Sequence, residues 1–148
     1  MNKILTEREV NQYSPLALAF LGDSIYEQLV REKIIFAANM PASKMHALKV
    51  CRVCAEYQSK ALEKIMPLLD EKETAVVKRG RNATGNTVPK HSSTADYRRA
   101  TALECLFGYL HLLGREERID ELFQIIWGDR KSTRLNSSHH GISYCVLC

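Results

Sequence analysis

The stretch from Leu16 to Glu27 constrains the fold most, because it is nearly all apolar or small, and Asp23 is its first charged residue. Ser14 and Pro15 precede it as a helix N-cap and a first helical residue. A helix continuing to about Phe36 places six residues on one stripe, at steps of three and four: Leu16, Phe20, Asp23, Glu27, Val30 and Ile34. An ionised carboxylate in such a face is costly unless a partner, hydrogen bonds or a metal compensates. A capped or ion-paired structural aspartate explains the pattern as well as a functional one does.

Helical spacing of apolar residues continues through the rest of the chain. Asp70 and Glu73 have the spacing of a capping box, and Gly114 has the position of a helix stop. No segment shows the alternation that is typical of a half-buried strand. The sequence therefore predicts one all-α domain of five to seven helices within residues 1–128. The predicted helices cover residues 15–36, 44–66 (one helix, or two joined near Glu56 and Tyr57), 70–80, 95–113 and 116–127.

The C-terminal segment 129–148 does not continue this pattern. It has no helical or strand periodicity, and its first part, from Asp129 to His139, resembles the translation of a common sequencing-library adapter. We therefore interpret it as a non-native tail that replaced the natural C-terminus. It carries three of the 21 basic and one of the 17 acidic residues, so the net charge of +4 falls to +2 for residues 1–128. A charge this small is only weak support for an anionic partner.

Several classes of protein are excluded by composition and pattern. No apolar run approaches the length of a membrane span, and the first ten residues are polar and charged, unlike a secretory signal. Cys51 and Cys54 form a lone CxxC inside a helical pattern, without the second pair of ligands that a zinc site needs. We therefore expect a cytoplasmic protein without a zinc site.

A second isolated carboxylate lies in the helix predicted at 95–113. Glu104 is the only acidic residue between Ala100 and Gly114, and its neighbours three and four residues away are small or apolar. Two long apolar helices thus carry one out-of-place carboxylate each, Asp23 and Glu104. Hard divalent ions such as magnesium take oxygen ligands, usually one or two carboxylates with water and substrate phosphate. If the two helices pack together at these positions, their carboxylates form such a site.

A basic segment lies between the two carboxylates in the sequence. Lys78, Arg79, Arg81 and Asn82 are followed by a turn-rich loop that contains Lys90. Cations near a helix end complement the helix dipole, and a solvated loop needs no function, so a structural interpretation stays open. The functional interpretation is a surface that contacts the phosphates of a nucleic acid.

Three motifs, two helical ones with the basic segment between them, resemble the catalytic domain of the ribonuclease III family. Phe20-Leu21-Gly22-Asp23-Ser24 is similar to the most characteristic motif of that family. The segment Thr101-Ala102-Leu103-Glu104-Cys105-Leu106-Phe107-Gly108 resembles its second catalytic helix. The basic segment with Val88-Pro89-Lys90, the short chain and the absence of a double-stranded-RNA-binding domain point to the small branch, Mini-ribonuclease III. The resemblance covers essentially residues 14–127.

This resemblance implies a ribonuclease III-like, homodimeric endoribonuclease that cleaves double-stranded RNA with magnesium, or with manganese as a substitute. Its substrate would be the precursor of large-subunit (23S) ribosomal RNA, and its products would carry 5′-phosphate and 3′-hydroxyl ends. No organic cofactor and no membrane is implied. By motif position, the catalytic residues and metal ligands would be Asp23 and Glu104. RNA binding would involve Lys78, Arg79, Arg81, Asn82 and Lys90. The dimer interface would include Leu16, Phe20 and Gly22.

Two positions depart from the larger members of that family. Those members carry a glutamate where this chain has Ala19 and an aspartate where it has Thr101. With fewer protein ligands, a tightly held pair of metal ions is less expected. The alternative function is a non-catalytic dimer that binds double-stranded RNA or the ribosome, and a third is a helical interaction domain with purely structural carboxylates. The presence of both Asp23 and Glu104 favours the enzyme.

Overall fold

The computed structural model describes residues 3–83 and 93–128. This part of the chain contains seven α-helices, one turn of 3-10 helix and no strand, which confirms the predicted all-α class. None of these helices is long and apolar enough to cross a membrane. Lys90 and the predicted tail at 129–148 lie outside the described residues. The helices are α1 (Glu7–Val10), α2 (Pro15–Ala37), α3 (Ala42–Val53), α4 (Ala55–Ile65), α5 (Glu71–Ala83), α6 (Thr94–Leu112) and α7 (Glu116–Trp127), with the 3-10 turn Met66–Leu68 after α4.

Side-chain caps fix where α2 and α5 begin, as the sequence predicts. Ser14 Oγ accepts a hydrogen bond from the Ala17 backbone N–H at 3.1 Å. Asp70 and Glu73 each accept from the other's backbone N–H, at 2.8 and 3.0 Å, which is a capping box. Glu73 is buried and also accepts two hydrogen bonds from Arg118, at 2.9 and 2.8 Å. The same cap therefore ties the start of α5 to α7.

Two helix boundaries differ from the prediction. The segment predicted at 44–66 is two helices, which is one of the two predicted alternatives, but the break is at Cys54, whose extended backbone (φ −69°, ψ 156°) interrupts the helix before Glu56. Helix α5 does not end at Gly80, because this glycine is buried in a helix contact and is not a helix stop. Arg81 and Asn82 therefore belong to the last turn of α5 rather than to the loop.

Helix α6 forms the centre of the fold. It packs against α2, α4, α5 and α7. From Ala100 to Leu110 every residue is buried except Glu104, which is half-buried. Glu104 is thus the only charged residue in this segment of α6. Large side chains of the surrounding core include Leu18, Tyr26, Val30, Val76, Leu103, Phe107, Leu122 and Phe123.

The predicted apolar stripe on α2 is wrong in its first half. Leu16 and Phe20 are 48% and 84% exposed, and Asp23 is exposed as well. The close approach of α2 to α6 explains the difference, because it turns the small residues Ala19 and Gly22 inward in place of the large ones. Asp23 therefore lies at the edge of a helix contact and not within an apolar face. The buried side of α2 consists of Leu18, Ala19, Gly22, Tyr26, Val30 and Ile34.

Candidate active site

Helices α2 and α6 cross with a glycine from each at the contact. A Cβ atom added to Gly22 would lie 1.7 Å from the Glu104 carbonyl oxygen, and one added to Gly108 would lie 2.0 Å from the Leu18 carbonyl oxygen. Leu18 and Gly22 lie one turn apart on α2, and their contacts on α6, Gly108 and Glu104, follow in the opposite order. The two helices therefore run antiparallel. Only glycine permits such an approach of two backbones. This crossing sets how far apart the Asp23 and Glu104 side chains lie.

The Asp23 and Glu104 side chains lie beside this crossing, close enough for Asp23 to shift the pKa of Glu104. The pKa of the Glu104 carboxyl is raised to about 8, first by burial and then by the charge and hydrogen bond of Asp23. Like charges this close ionise together more readily when a cation lies beside both. The structure thus brings together the two carboxylates that the sequence singled out.

A buried glutamine from a third helix completes the cluster. Gln58 of α4 is 2% exposed, and its Nε2 donates to the Val53 carbonyl oxygen at 3.0 Å. Its amide also lies close enough to Glu104 to lower the pKa of that carboxyl, which opposes the effect of burial. The sequence interpretation missed this residue. The available signal was its position on the stripe of Ala55, Leu62 and Ile65, where an apolar residue is expected.

The donor set of this cluster fits a hard divalent cation. The cluster offers two carboxylates and one buried amide, and magnesium is usually bound through one or two carboxylates plus water and substrate phosphate. Within residues 3–83 and 93–128, no group of three or more His, Cys, Asp or Glu side chains is placed to hold an ion. Asp23 and Glu104 are the two carboxylates of this cluster that could hold a metal.

The two departures from the larger family members lie in the interior. Ala19 and Thr101 are both buried, and the Thr101 hydroxyl donates to the Tyr97 carbonyl oxygen of its own helix at 3.1 Å. On α2, Glu27 lies one turn after Asp23 and is paired with Arg31 at 2.7 Å. None of these residues adds a carboxylate to the cluster, so the site relies on two.

The basic residues of the predicted RNA-binding segment lie at the end of α5, next to α6. A Cβ atom at Gly80 would lie 2.9 Å from Cys105 Cβ and 3.1 Å from Ala102 Cα, so α5 packs closely here. These two α6 residues flank Glu104 in the sequence. The end of α5 therefore lies at the same level of α6 as the carboxylate pair. The exposed residues in its last two turns are Lys78, Arg79, Arg81 and Asn82.

The three residues predicted at a dimer interface have different positions. Leu16 and Phe20 are exposed on α2, before Asp23. Gly22 is buried against α6 of its own chain, so its close contact is intramolecular and it offers no surface to a partner. A shallow groove continues along α2 and is lined by Asp23, Ser24, Glu27, Gln28, Arg31, Glu32 and Ile35. An exposed apolar pair thus lies on the helix that carries Asp23.

The raised pKa of Glu104 predicts how the stability of the metal-free protein changes with pH. An unfolded chain releases this proton near pH 4.5, whereas the folded chain holds it to about pH 8. The folded state therefore binds more protons across this window, and its stability falls as the pH rises from 4.5 to 8. Glu104→Gln removes this loss, so we expect its melting temperature in EDTA to exceed that of the wild type at pH 8 and to converge with it below pH 4.5.

Thermal melts in EDTA at several pH values measure this difference. Glu117→Gln is a matched control, because Glu117 is exposed in the first turn of α7. We expect its difference from the wild type to be the same at pH 5 and pH 8. An equally constant difference for Glu104→Gln would show that Glu104 ionises in the folded protein as freely as in the unfolded chain.

The chain is similar to known proteins over most of its length. Residues 16–115 match the family model of the ribonuclease III domain. Mini-ribonuclease 3 of Brevibacillus brevis is 44% identical over 124 residues, which cover 84% of this chain and 92% of that protein. Mini-ribonuclease 3 of a Thermoanaerobacter strain is 40% identical over 123 residues, covering 83% and 87%. The X-ray structure of a Fusobacterium nucleatum protein matches with a TM-score of 0.73 at 34% identity, covering 78% of this chain and 93% of that chain.

Proposed function

The chain belongs to the ribonuclease III family, in its Mini-ribonuclease III branch, and is an endoribonuclease; from this premise we propose that it cleaves double-stranded RNA with magnesium at the Asp23–Glu104 pair. One observation carries the proposal. The glycine crossing of α2 and α6 brings these two carboxylates together at the level of α6 where the basic end of α5 packs. The two carboxylates can bind a divalent metal ion, and the basic side chains nearby can bind the phosphates of the RNA.

Each residue of the site has a role in this proposal. A bound magnesium ion supplies an activated water and stabilises the charge that develops on the phosphodiester. Asp23, which is exposed, would hold the ion from the solvent side, and the half-buried Glu104 would hold it from the interior. The cations at the end of α5 neutralise the flanking phosphates. Cleavage then leaves 5′-phosphate and 3′-hydroxyl ends.

The basic end of α5 favours recognition of shape over recognition of base sequence. Lysine, arginine and asparagine side chains on an exposed helix end reach phosphates and 2′-hydroxyls, which every A-form duplex presents. The described residues offer no element that would enter a deep and narrow RNA major groove. We therefore propose that Lys78, Arg79, Arg81 and Asn82 bind the duplex backbone, together with Lys90 from the loop.

The proposed active form is a homodimer. Leu16 and Phe20 are the supporting observation, since burying a phenylalanine side chain contributes about 1.5–3 kcal/mol and Phe20 is 84% exposed. Two copies joined along α2 would bring two carboxylate pairs close enough to cut both strands of a duplex. Sedimentation as a monomer at micromolar concentration, with or without duplex RNA, would count against the dimer.

The proposed substrate is the precursor of 23S ribosomal RNA, in the cytoplasm. This substrate follows from the branch of the family and not from a particular residue of the structure. Depletion of the protein in its host should leave extended 23S ends, which primer extension detects. Normal ends after depletion would exclude this substrate without affecting the proposed chemistry.

The function is tested with a long RNA duplex, purified protein and magnesium. We expect shorter duplexes with 5′-phosphate ends, no product in EDTA, and recovered cleavage when magnesium or manganese is added back. The competing function is a non-catalytic protein that binds double-stranded RNA. A chain that binds the duplex but never cuts it with either metal would establish that alternative.

Neutralising a single cation at the end of α5 tests the RNA-binding surface. If Lys78 contacts a phosphate, Lys78→Ala should weaken duplex binding and lower the slope of log K against log salt by roughly one unit. Fluorescence anisotropy at four salt concentrations measures this slope. Arg8→Ala is the control, because Arg8 is exposed on α1, whose Glu7 pairs with Lys72 at the opposite end of α5. Equal slopes of log K against log salt for both variants and the wild type would mean that Lys78 does not contact RNA and that the basic end of α5 has a structural role.

A further inference from the structure

Gln58 is the buried polar side chain of the site that the proposed reaction leaves without a role. Its Oε1 has no hydrogen-bond partner among the described residues, and the side chain is 2% exposed. A buried acceptor without a donor costs about 1–3 kcal/mol, and an apolar side chain of the same size would avoid that cost. Such a residue needs a reason beyond packing.

The amide is oriented by its partners. The Val53 carbonyl oxygen can only accept a hydrogen bond, and it lies 3.0 Å from Nε2, so the nitrogen faces it. The side chain is also close enough to the Glu104 carboxyl to lower its pKa. Because Oε1 and Nε2 share one carbon, the unpartnered oxygen lies near Glu104 as well. The acceptor is therefore next to the carboxylate pair and not elsewhere in the core.

The backbone that holds Gln58 is itself anchored. Val53 follows Arg52, whose guanidinium lies over the rings of Tyr57 and Trp127, with its central carbon 5.1 and 4.4 Å from their centroids. The Arg52 carbonyl oxygen accepts a hydrogen bond from the buried Tyr26 hydroxyl at 2.8 Å. The junction of α3 and α4 is thus tied to α2 and α7. A side chain held this way can position another group accurately.

We propose that Gln58 is a positioning residue of the metal site, whose Nε2 orients the Glu104 carboxylate and whose Oε1 accepts a hydrogen bond from a water bound to the divalent cation. The proposal rests on the proposed function, since it needs a cation held by Asp23 and Glu104. Groups that orient metal ligands typically contribute a factor of 10–100 to metal affinity. With only two carboxylates in the cluster, this support carries more of the affinity than it would in a site with more ligands.

Binding of Mn²⁺ alone, followed by the loss of the free-ion electron paramagnetic resonance signal, tests the proposal without RNA. We expect Gln58→Met, which preserves length and volume, to bind Mn²⁺ about 10–100-fold more weakly than the wild type. Its melting temperature in EDTA should stay close to that of the wild type, because removing the buried unpaired Oε1 offsets the loss of the hydrogen bond from Nε2 to the Val53 carbonyl oxygen. Ser59→Ala is the matched control: Ser59 is equally buried on α4, but its hydroxyl accepts from Arg99 at 3.4 Å. It should bind Mn²⁺ like the wild type.

A double-mutant cycle separates positioning of Glu104 from a general effect on folding. In the Glu104→Gln background, Gln58→Met should cause a smaller loss of Mn²⁺ affinity than in the wild type, because the contact between Gln58 and the Glu104 carboxylate is already removed. If Gln58→Met does not fold, Gln58→Asn replaces it, since it keeps the amide but is one methylene too short to reach. Wild-type Mn²⁺ affinity in the Gln58 variants would overturn the role of Gln58 alone. Failure of the wild type itself to bind Mn²⁺ through Asp23 and Glu104 would overturn this inference and the proposed function together.

Discussion

Replacing Asp23 by asparagine, or Glu104 by glutamine, is expected to slow cleavage of duplex RNA by roughly a thousand-fold or more. A metal that polarises a phosphodiester contributes several kcal/mol of transition-state stabilisation, and each 1.36 kcal/mol is a factor of ten in rate. Each substitution keeps the shape of the side chain and removes one of only two carboxylates in the cluster. Binding of the duplex should persist, because the cations on α5 are unchanged.

Single-turnover cleavage of a labelled duplex in saturating magnesium measures this loss. Glu27→Gln is the matched control, since Glu27 lies one turn from Asp23 on the same helix and is paired with Arg31. The control changes the net charge by the same amount and should cut within a few-fold of the wild-type rate. Cleavage near the wild-type rate by the Asp23 or the Glu104 variant would remove that residue from the site.

Loss of activity and gain of stability should occur together in Glu104→Gln. Burial and Asp23 raise the pKa of the Glu104 carboxyl to about 8, so the ionised form destabilises the metal-free fold. An inactive variant that melts higher than the wild type at pH 8 cannot owe its inactivity to unfolding. A substitution that lowers activity but raises stability is typical of residues that are retained for function at a cost in stability.

Local features of the chain were predictable from sequence because their causes are local. The caps at Ser14 and Asp70 depend on residues within one turn, and both begin helices as predicted. The spacing of apolar residues likewise indicated α6 and its isolated Glu104. Which side of the first half of α2 faces the core was predicted wrongly, because the prediction followed large apolar residues such as Phe20. The contact is instead decided by the small residues Ala19 and Gly22.

The site itself depends on contacts between distant segments. Asp23 and Glu104 are 81 positions apart, and their meeting follows from backbone approach at Gly22 and Gly108, which no periodicity reveals. The resemblance to the ribonuclease III family supplied the pairing that physical reasoning from one sequence left open. Gln58 was missed, because a single polar residue in an amphipathic helix does not indicate which helix it will contact.

The glycine crossing leads to the second large expected effect: Gly22→Ala should destabilise the protein by about 3 kcal/mol or more. In most helices a glycine-to-alanine change is stabilising by about 1 kcal/mol, because alanine has the higher helix propensity. Here the added Cβ would lie 1.7 Å from the Glu104 carbonyl oxygen. A backbone oxygen cannot rotate away as a side chain can, so α2 and α6 must move apart along a contact in the core of the fold. Urea denaturation at pH 5, in EDTA, measures the change with Glu104 largely protonated.

A graded series distinguishes the crossing from a general intolerance of substitution. At Gly108 the nearest atom is also a backbone oxygen, at 2.0 Å, whereas at Gly80 it is the Cys105 Cβ atom, at 2.9 Å. We therefore expect Gly22→Ala and Gly108→Ala to be strongly destabilising and Gly80→Ala to be less destabilising than either. Ser24→Ala, on the exposed side of α2, should be close to neutral. Because the same separation would pull Glu104 away from Asp23, any folded Gly22→Ala protein should also lose Mn²⁺ affinity. Normal affinity in a destabilised Gly22 variant would mean that the carboxylates are held together by something other than the crossing.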